Sequence, residues 1–166
     1  LHMDGARLWN ACAAEGLEPA DYAEFADTIS VCFSKGLGCP VGSALVGDEE
    51  SIGRARRMRK VVGGSMRQAG MLAGAAAYAL DHHLERIAQD HARAQRLAER
   101  LAEVPGLSVD SDRIRTNMVY FGVDPKLGSA RSFCEKLDDR VRMLDESRQT
   151  VRAVTHLHIT DDDVER

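Results

Sequence analysis

A lysine that follows an apolar segment is the first residue of this chain whose type and position could support chemistry. Lys35 comes directly after the β-branched and apolar residues 28–33 and lies in a turn that contains glycine. Sites in α/β folds lie at the carboxyl ends of strands, where a lysine can form a Schiff base with a carbonyl cofactor. Most lysines at strand ends are solvated surface charges, so Lys35 alone leaves both interpretations open.

A carboxylate near the first residue offers a second chemical group. Asp4 precedes Gly5, whose missing side chain lets a ligand or another backbone segment approach closely. A buried carboxylate at such a position can keep a pyridinium nitrogen protonated, which preserves an electron-withdrawing ring. The alternative interpretation is that Asp4 caps the helix predicted to begin within a few residues.

Three arginines stand among small or apolar neighbours: Arg7, Arg67 and Arg152. The guanidinium group presents a planar set of donors that suits carboxylates and phosphates. Arg152 lies within the otherwise apolar residues 151–154, where an unpaired charge would be costly. A structural ion pair would satisfy each arginine equally well, so ligand binding and ion pairing both remain open.

The elements that position these residues follow from apolar periodicity and from turn residues. Before residue 66 the pattern predicts a helix at 8–15 ended by Gly16, strands at 28–33 and 43–46, and a helix from Asp48 to Gly63-Gly64. A helical region at 66–104 follows, with glycines and the pair His82-His83 as possible bends, and ends at Pro105-Gly106. Beyond it we predict strands at 107–109, 117–122, 141–143 and 151–154, a helix at 129–139, and the first turn of a helix at 161–166.

One face of the helical region is apolar. Its stripe alternates steps of four and three residues and comprises Leu80, Leu84, Ile87, His91, Ala94, Ala98 and Leu101. Such spacing predicts packing against a neighbouring element. The histidines of this region lack the spacing of a metal site, so His82, His83 and His91 are predicted to be packed or surface residues.

Composition excludes several classes of function. The net charge of −4 and the pI of about 5.9 give no electrostatic attraction to nucleic acid or to an anionic membrane, and no apolar run has the length of a membrane span. The four cysteines match no metal pattern. They predict reduced thiols in a cytoplasmic protein, and two disulfides in a secreted protein are the alternative.

Four segments occur together and in order: 4–7 (DGAR), 30–43 (SVCFSKGLGCPVGS), 63–70 (GGSMRQAG) and 151–156 (VRAVTH). On these motifs the chain resembles the L-threonine aldolase family of fold-type I pyridoxal-phosphate enzymes over nearly its whole length. The resemblance implies an α/β fold-type I transferase-like structure. Residues 1–65 would be the last part of the large cofactor-binding domain. Residues 66–166 would be the connecting long helix and a small α+β C-terminal domain, truncated at both ends.

The resemblance also implies roles for the candidate residues. Lys35 would be the catalytic lysine that forms a Schiff base with pyridoxal 5'-phosphate. Asp4 would pair with the pyridine nitrogen, Arg67 would lie near the cofactor, and Arg7 and Arg152 would bind the substrate α-carboxylate. The reaction would be cleavage of L-threonine or L-allo-threonine to glycine and acetaldehyde. The protein would be a cytoplasmic homotetramer with an amino acid substrate and no metal, nucleic acid or membrane partner.

Other functions remain open at this point. A lysine and an aspartate at a pyridoxal ring do not distinguish an aldolase from another fold-type I lyase or an aminotransferase, and a non-catalytic assembly module is a further alternative. The family carries its phosphate-binding loop and ring-stacking group in an N-terminal half. We therefore expect the chain, as a C-terminal half, to have no useful aldolase activity alone.

Overall fold

The computed structural model describes all residues, Leu1–Arg166. The chain forms two compact units, Leu1–Ile87 and Ala88–Arg166. Each unit combines helices with a β-sheet, so the predicted mixed α/β class is confirmed.

A three-stranded sheet organises the first unit, in the order β1 (His2–Gly5), β2 (Thr28–Cys32), β3 (Ser43–Gly47). β1 and β2 are parallel, whereas β3 is antiparallel to β2. Alternate residues of β2, Ile29 and Val31, are buried against Leu8 and Cys12, because successive strand side chains point to opposite faces. The sheet thereby acquires one covered face.

Two short helices join β1 to β2. The first is α1 (Leu8–Glu15), which ends at Gly16 in the left-handed conformation with φ 67°, a backbone state that glycine adopts without steric cost. The second is α2 (Pro19–Ala23), which has proline in its first turn. The prediction of α1 is confirmed, whereas α2 and β1 were not predicted from the sequence.

The remaining helix of the predicted large-domain segment is α3 (Glu49–Val61). The Asp48 carboxylate accepts a hydrogen bond from the Ser51 N–H at 2.6 Å, and this contact lowers the pKa of Asp48. Arg59 and Lys60 lie in the last turn, where positive charge interacts favourably with the helix dipole. The predicted cap and the helix are therefore confirmed.

The helical region predicted at 66–104 is two helices, α4 (Gly70–His82) and α5 (Ile87–Ala102). The apolar stripe divides at the same place. Ile87 is buried with Leu37, Cys39 and Ala79 in the first unit. Ala94 and Ala98 are fully buried in the core of the second unit. The interruption at residues 83–86 lies at the His82-His83 pair, where a bend was predicted, and the stripe is shared between two separate cores.

The second unit contains a four-stranded antiparallel sheet. Its strand order is β4 (Leu107–Ser108), β5 (Met118–Val123), β7 (Thr150–Val154), β6 (Leu144–Asp145). Helix α6 (Ala130–Leu137) contributes Ala130 and Phe133 to the core. The strand predicted at 141–143 is wrong: pairing begins at Leu144, which lies opposite Arg152.

The last helix, α7 (Asp161–Glu165), is held to α5 by ion pairs. Arg93 donates to Asp161 at 2.9 Å, and both Arg96 and Arg100 pair with Glu165. The bond from Arg93 is the main reason why the pKa of Asp161 is lowered.

All four cysteines are free thiols. None of the helices combines the length and apolar content needed to cross a membrane.

The core of the second unit should depend strongly on Phe121, which is 1% exposed and contacts the edge of the Phe133 ring. We expect Phe121→Ala to lower the free energy of unfolding by about 3–5 kcal/mol, because it removes buried surface and leaves a cavity. Urea unfolding measures this loss. Tyr120→Ala is the matched control, since Tyr120 is 43% exposed on the same strand and its loss should cost less than about 1 kcal/mol. Equal losses for the two variants would contradict the assigned core.

Candidate active site

Lys35 lies in a tight turn immediately beyond β2. The Gly38 N–H donates to the Lys35 carbonyl at 2.9 Å, and the Cys39 N–H donates to the Phe33 carbonyl at 3.0 Å. Gly38 has a positive φ of 71°, which favours glycine. The Lys35 side chain is exposed and makes no ion pair or side-chain hydrogen bond within the chain. The turn therefore presents a primary amine whose position is set by its backbone.

A close approach between Gly36 and α1 limits this turn. Gly36 is buried, and a Cβ at this position would lie 2.6 Å from Oδ1 of Asn10, whose side chain is itself 1% exposed. Any larger residue would have to displace a buried amide. The glycine beside Lys35 is thus required by packing between the turn and the helix.

Side chains from distant parts of the first unit hold the turn and the strand before it. Trp9 Nε1–H donates to the Cys32 carbonyl at 3.0 Å, at the end of β2. Cys39 Sγ contacts the Ala75 carbonyl of α4 at 3.6 Å. Burial raises the pKa of the Cys39 thiol, which favours its protonated form.

His83 also contacts the turn, since its Nδ1 is 2.7 Å from the Leu37 carbonyl oxygen. The sequence predicted only a packed or surface position for His83 and no role for Trp9 or Asn10. The sequence did contain one indication of these contacts. The lysine motif adjoins an apolar run, and an apolar run must be covered by other elements of the fold.

Asp4 is the penultimate residue of β1, and Arg7 follows the carboxyl end of that strand. β1 and β2 are parallel, with Asp4 opposite Ser30, so the carboxyl ends of the two strands lie side by side. Asp4 and Arg7 therefore belong to the same edge of the sheet as Lys35. The Asp4 carboxylate accepts a hydrogen bond from the Ala6 N–H at 3.0 Å and is exposed within this chain, whereas the sequence interpretation had it buried. The N-cap residue of α1 is Arg7, so the interpretation of Asp4 as the helix cap is wrong.

Gly5 allows β1 and β2 to approach each other closely. A Cβ there would lie 2.7 Å from the Ser30 carbonyl oxygen and 2.9 Å from the Ile29 side chain. The missing side chain therefore lets the two strands run side by side as far as the end of β1. The same glycine separates Asp4 from Arg7 at the sheet edge.

The two other candidate arginines lie elsewhere in the chain. Arg67 is exposed in the segment between α3 and α4, beside Gln68, whose φ of 51° is the only positive value at a residue other than glycine. A non-glycine residue in this conformation is uncommon. Arg67 thus belongs to the first unit, and Arg152 belongs to the second.

Arg152 satisfies one of its donors and leaves another free. Its Nη1 donates to Glu146 Oε2 at 3.2 Å, and its side chain is 25% exposed. Its Nε is buried and has no hydrogen-bond partner. The structural ion pair considered above is present, and the unpaired donor leaves room for a further acceptor such as a carboxylate oxygen.

Solved structures with the same architecture define the class of fold. One is a putative aromatic amino acid beta-eliminating lyase/threonine aldolase from Exiguobacterium sp. 255-15, with a TM-score of 0.80 and 23% identity over 99% of this chain and 49% of that chain. Another is a putative L-allo-threonine aldolase from Listeria monocytogenes EGD-E, with a TM-score of 0.79 and 21% identity over the same shares. The chain has the mixed α/β fold of fold-type I pyridoxal-phosphate enzymes.

Sequence comparison identifies the family. The family model described as Beta-eliminating lyase matches residues 1–124, and the chain belongs to this family. It is 41% identical over 168 residues to the probable low-specificity L-threonine aldolase 2 of Arabidopsis thaliana, covering 99% of this chain and 47% of that protein. It is 42% identical over 160 residues to the low specificity L-threonine aldolase of Escherichia coli (strain K12), covering 96% and 46%. The chain spans about half the length of the curated relatives it matches.

The residues present fit pyridoxal phosphate, the cofactor that the fold implies. The sheet edge offers an exposed amine, Lys35, and an exposed carboxylate, Asp4, which are the groups that this cofactor uses at its aldehyde and ring nitrogen.

The packing of Gly36 against Asn10 can be tested by one added methyl group. We expect Gly36→Ala to lower the free energy of unfolding by about 1–3 kcal/mol, since Asn10 must shift within a packed region. Thermal unfolding measures the change. Gly74→Ala is the matched control, because Gly74 lies in α4 and a Cβ there would have no atom within 4 Å, so alanine should be neutral or stabilising by about 1 kcal/mol. Similar effects of the two substitutions would show that Gly36 has no special packing role.

Proposed function

We propose that the protein carrying this chain cleaves L-threonine or L-allo-threonine to glycine and acetaldehyde, with pyridoxal phosphate as its cofactor. The single observation that carries this proposal is the location of Lys35, Asp4 and Arg7 at one edge of the parallel β1–β2 pair. The names of the relatives, low-specificity L-threonine aldolases from Arabidopsis thaliana and Escherichia coli, supply the substrate class.

Within this proposal, Lys35 and Asp4 hold the cofactor. The Lys35 amine would bind its aldehyde carbon, and the Asp4 carboxylate would keep a proton on its ring nitrogen. When bound, pyridoxal phosphate supplies an electron sink for bond cleavage at the substrate Cα. Arg67 would add positive charge near the cofactor, which carries a phosphate group.

Arg7 and Arg152 orient the substrate. Each guanidinium group can donate two parallel hydrogen bonds to the α-carboxylate. A fixed carboxylate restricts rotation about the Cα bonds, so that the Cα–Cβ bond is presented for cleavage and competing bonds are not. The buried Arg152 Nε, which has no partner within the chain, is one donor available for this contact.

Elimination at Cβ is a second candidate, favoured by the description of the matching family model, Beta-eliminating lyase. Such an enzyme would release pyruvate from serine or cysteine instead of acetaldehyde from threonine. Product analysis with each amino acid therefore separates the two activities. A protein that releases neither product and binds no pyridoxal phosphate would be the non-catalytic assembly module.

The predicted homotetramer and cytoplasmic location belong to the same proposal. Support for assembly comes from exposed apolar side chains in and after α3: Met58, Val61, Val62, Met66 and Met71 are 59–87% exposed. Apolar surface of this kind is typical of an interface with another polypeptide.

The role of Lys35 is tested in protein expressed from the complete reading frame. We expect pyridoxal phosphate to give a near-ultraviolet to visible absorbance band with the wild-type protein, and Lys35→Ala to abolish both the band and acetaldehyde release. Lys126→Ala is the control, because Lys126 is exposed in the second unit beyond β5 and its loss should preserve both signals. A Lys35→Ala protein with wild-type activity would exclude this lysine from the reaction.

The role of Arg152 is tested by a substitution that keeps the charge. We expect Arg152→Lys to raise KM for threonine about 10- to 100-fold, since lysine lacks the paired donors of arginine and a charge-assisted bond contributes about 1.5–3 kcal/mol. Steady-state kinetics measure the change. Arg131→Lys is the control, because Arg131 pairs only with Glu135 on the exposed face of α6. An unchanged KM for Arg152→Lys would assign Arg152 to its ion pair with Glu146 alone.

A further inference from the structure

We propose that His83 is a positioning residue for Lys35, and that its hydrogen bond to the Leu37 carbonyl holds the turn in the conformation that presents the lysine amine. The inference rests on the proposed function in that Lys35 is taken to be the cofactor-binding lysine. His83 touches neither cofactor nor substrate in this proposal and acts only through the backbone of the turn.

The geometry defines which ring nitrogen carries hydrogen. His83 Nδ1 is 2.7 Å from the Leu37 carbonyl oxygen, and a carbonyl oxygen only accepts. Nδ1 is therefore the donor in this contact. The bond joins residues 46 positions apart, so it ties the end of α4 to the turn that carries Lys35.

The turn is short enough for this one bond to matter. Leu37 lies inside the turn that is closed by the hydrogen bond from the Gly38 N–H to the Lys35 carbonyl. A fixed Leu37 carbonyl therefore fixes the peptide plane between Leu37 and Gly38. The Leu37 side chain is 0% exposed and packs with Ala79 and Ile87. Both the side chain and the carbonyl of Leu37 are thus held by elements far along the chain.

The His83 ring is itself held in place. His83 is the C-cap residue of α4, and its N–H donates to the Ala79 carbonyl at 2.8 Å. The Tyr78 ring meets the imidazole edge-on at a centroid distance of 5.6 Å. Such a ring loses little entropy when it forms the hydrogen bond, because its backbone and one face are already fixed.

The neighbouring histidine provides a matched comparison. His82 is exposed. The centroid of its ring lies 4.3 Å from that of the Tyr78 ring, and its side chain makes no hydrogen bond to the turn. Substitution of His82 therefore changes the same helix end and the same histidine count without removing the proposed interaction.

The experiment compares His83→Ala, His83→Asn, His83→Gln and His82→Ala in protein expressed from the complete reading frame. Asparagine places an amide N–H near the position of Nδ1, whereas the longer glutamine places it near Nε2. The first readout is hydrogen exchange of the Gly38 and Cys39 amides without added cofactor. The second is the dissociation constant of pyridoxal phosphate, obtained by titrating its Lys35-dependent absorbance band.

We expect His83→Ala to accelerate exchange of these amides and to weaken pyridoxal phosphate binding about tenfold, the size expected when a buried carbonyl loses its donor. His83→Asn should return both values to within about threefold of wild type, while His83→Gln should resemble alanine. His82→Ala should leave both values unchanged. Rescue by asparagine and not by glutamine distinguishes a directed bond from a general loss of packing.

Two results would overturn the inference. One is an unchanged dissociation constant for His83→Ala in a protein whose wild type shows the Lys35-dependent band. The other is equal weakening by alanine, asparagine and glutamine with equal losses of melting temperature, which would show a purely structural role. Absence of the band in the wild type would instead contradict the proposed function, so the two failures are separable.

Discussion

The parallel pairing of β1 with β2 is the constraint on which the candidate site depends. Parallel strands end at the same edge of a sheet, and the register places Asp4 opposite Ser30 and Gly5 opposite Val31. The residues that follow each strand therefore meet at one edge, although they are far apart in the sequence. If β1 were antiparallel to β2, Asp4 and Arg7 would lie at the end opposite Lys35.

Packing around the turn shows how an exposed lysine can occupy a defined position. The Lys35 side chain has no partner of its own, whereas the backbone on either side of it is held through Cys32, Gly36, Leu37 and Cys39. A flexible side chain on a fixed backbone can reach a ligand with little reorganisation of the fold. Local order is thus supplied by contacts to the backbone of the turn, and these contacts leave the Lys35 amine unpaired.

Arg152 shows a different balance between stability and binding. Its partner Glu146 offsets the cost of placing a guanidinium group within an apolar strand. Its buried Nε remains unsatisfied, which is unfavourable for folding alone. Thr155, which directly follows β7, shows the usual state of a buried polar group, since its hydroxyl donates to the Asp90 carbonyl at 2.6 Å. The proposed contact with a substrate carboxylate would satisfy the Arg152 donor that the fold leaves unpaired.

The sequence by itself determined the elements whose signals are local. The Gly16 stop, the Asp48 cap and the β-branched run of β2 each act within a few residues, so their physical effect is visible in the pattern. The motifs around Lys35 and Arg152 likewise carried the family resemblance, and that resemblance predicted the fold class. The structural location of Lys35 at a strand end also followed from this local pattern.

The tertiary structure decided what depends on distant partners. β1 is only four residues long and has no β-branched residue, so it is a strand only because β2 lies beside it. β6 begins at Leu144 because its pairing with β7 begins there. The contacts of Trp9 and His83 with carbonyls 23 and 46 residues away likewise arise from packing. No local periodicity encodes these choices, because each is made between segments that meet only in the folded chain.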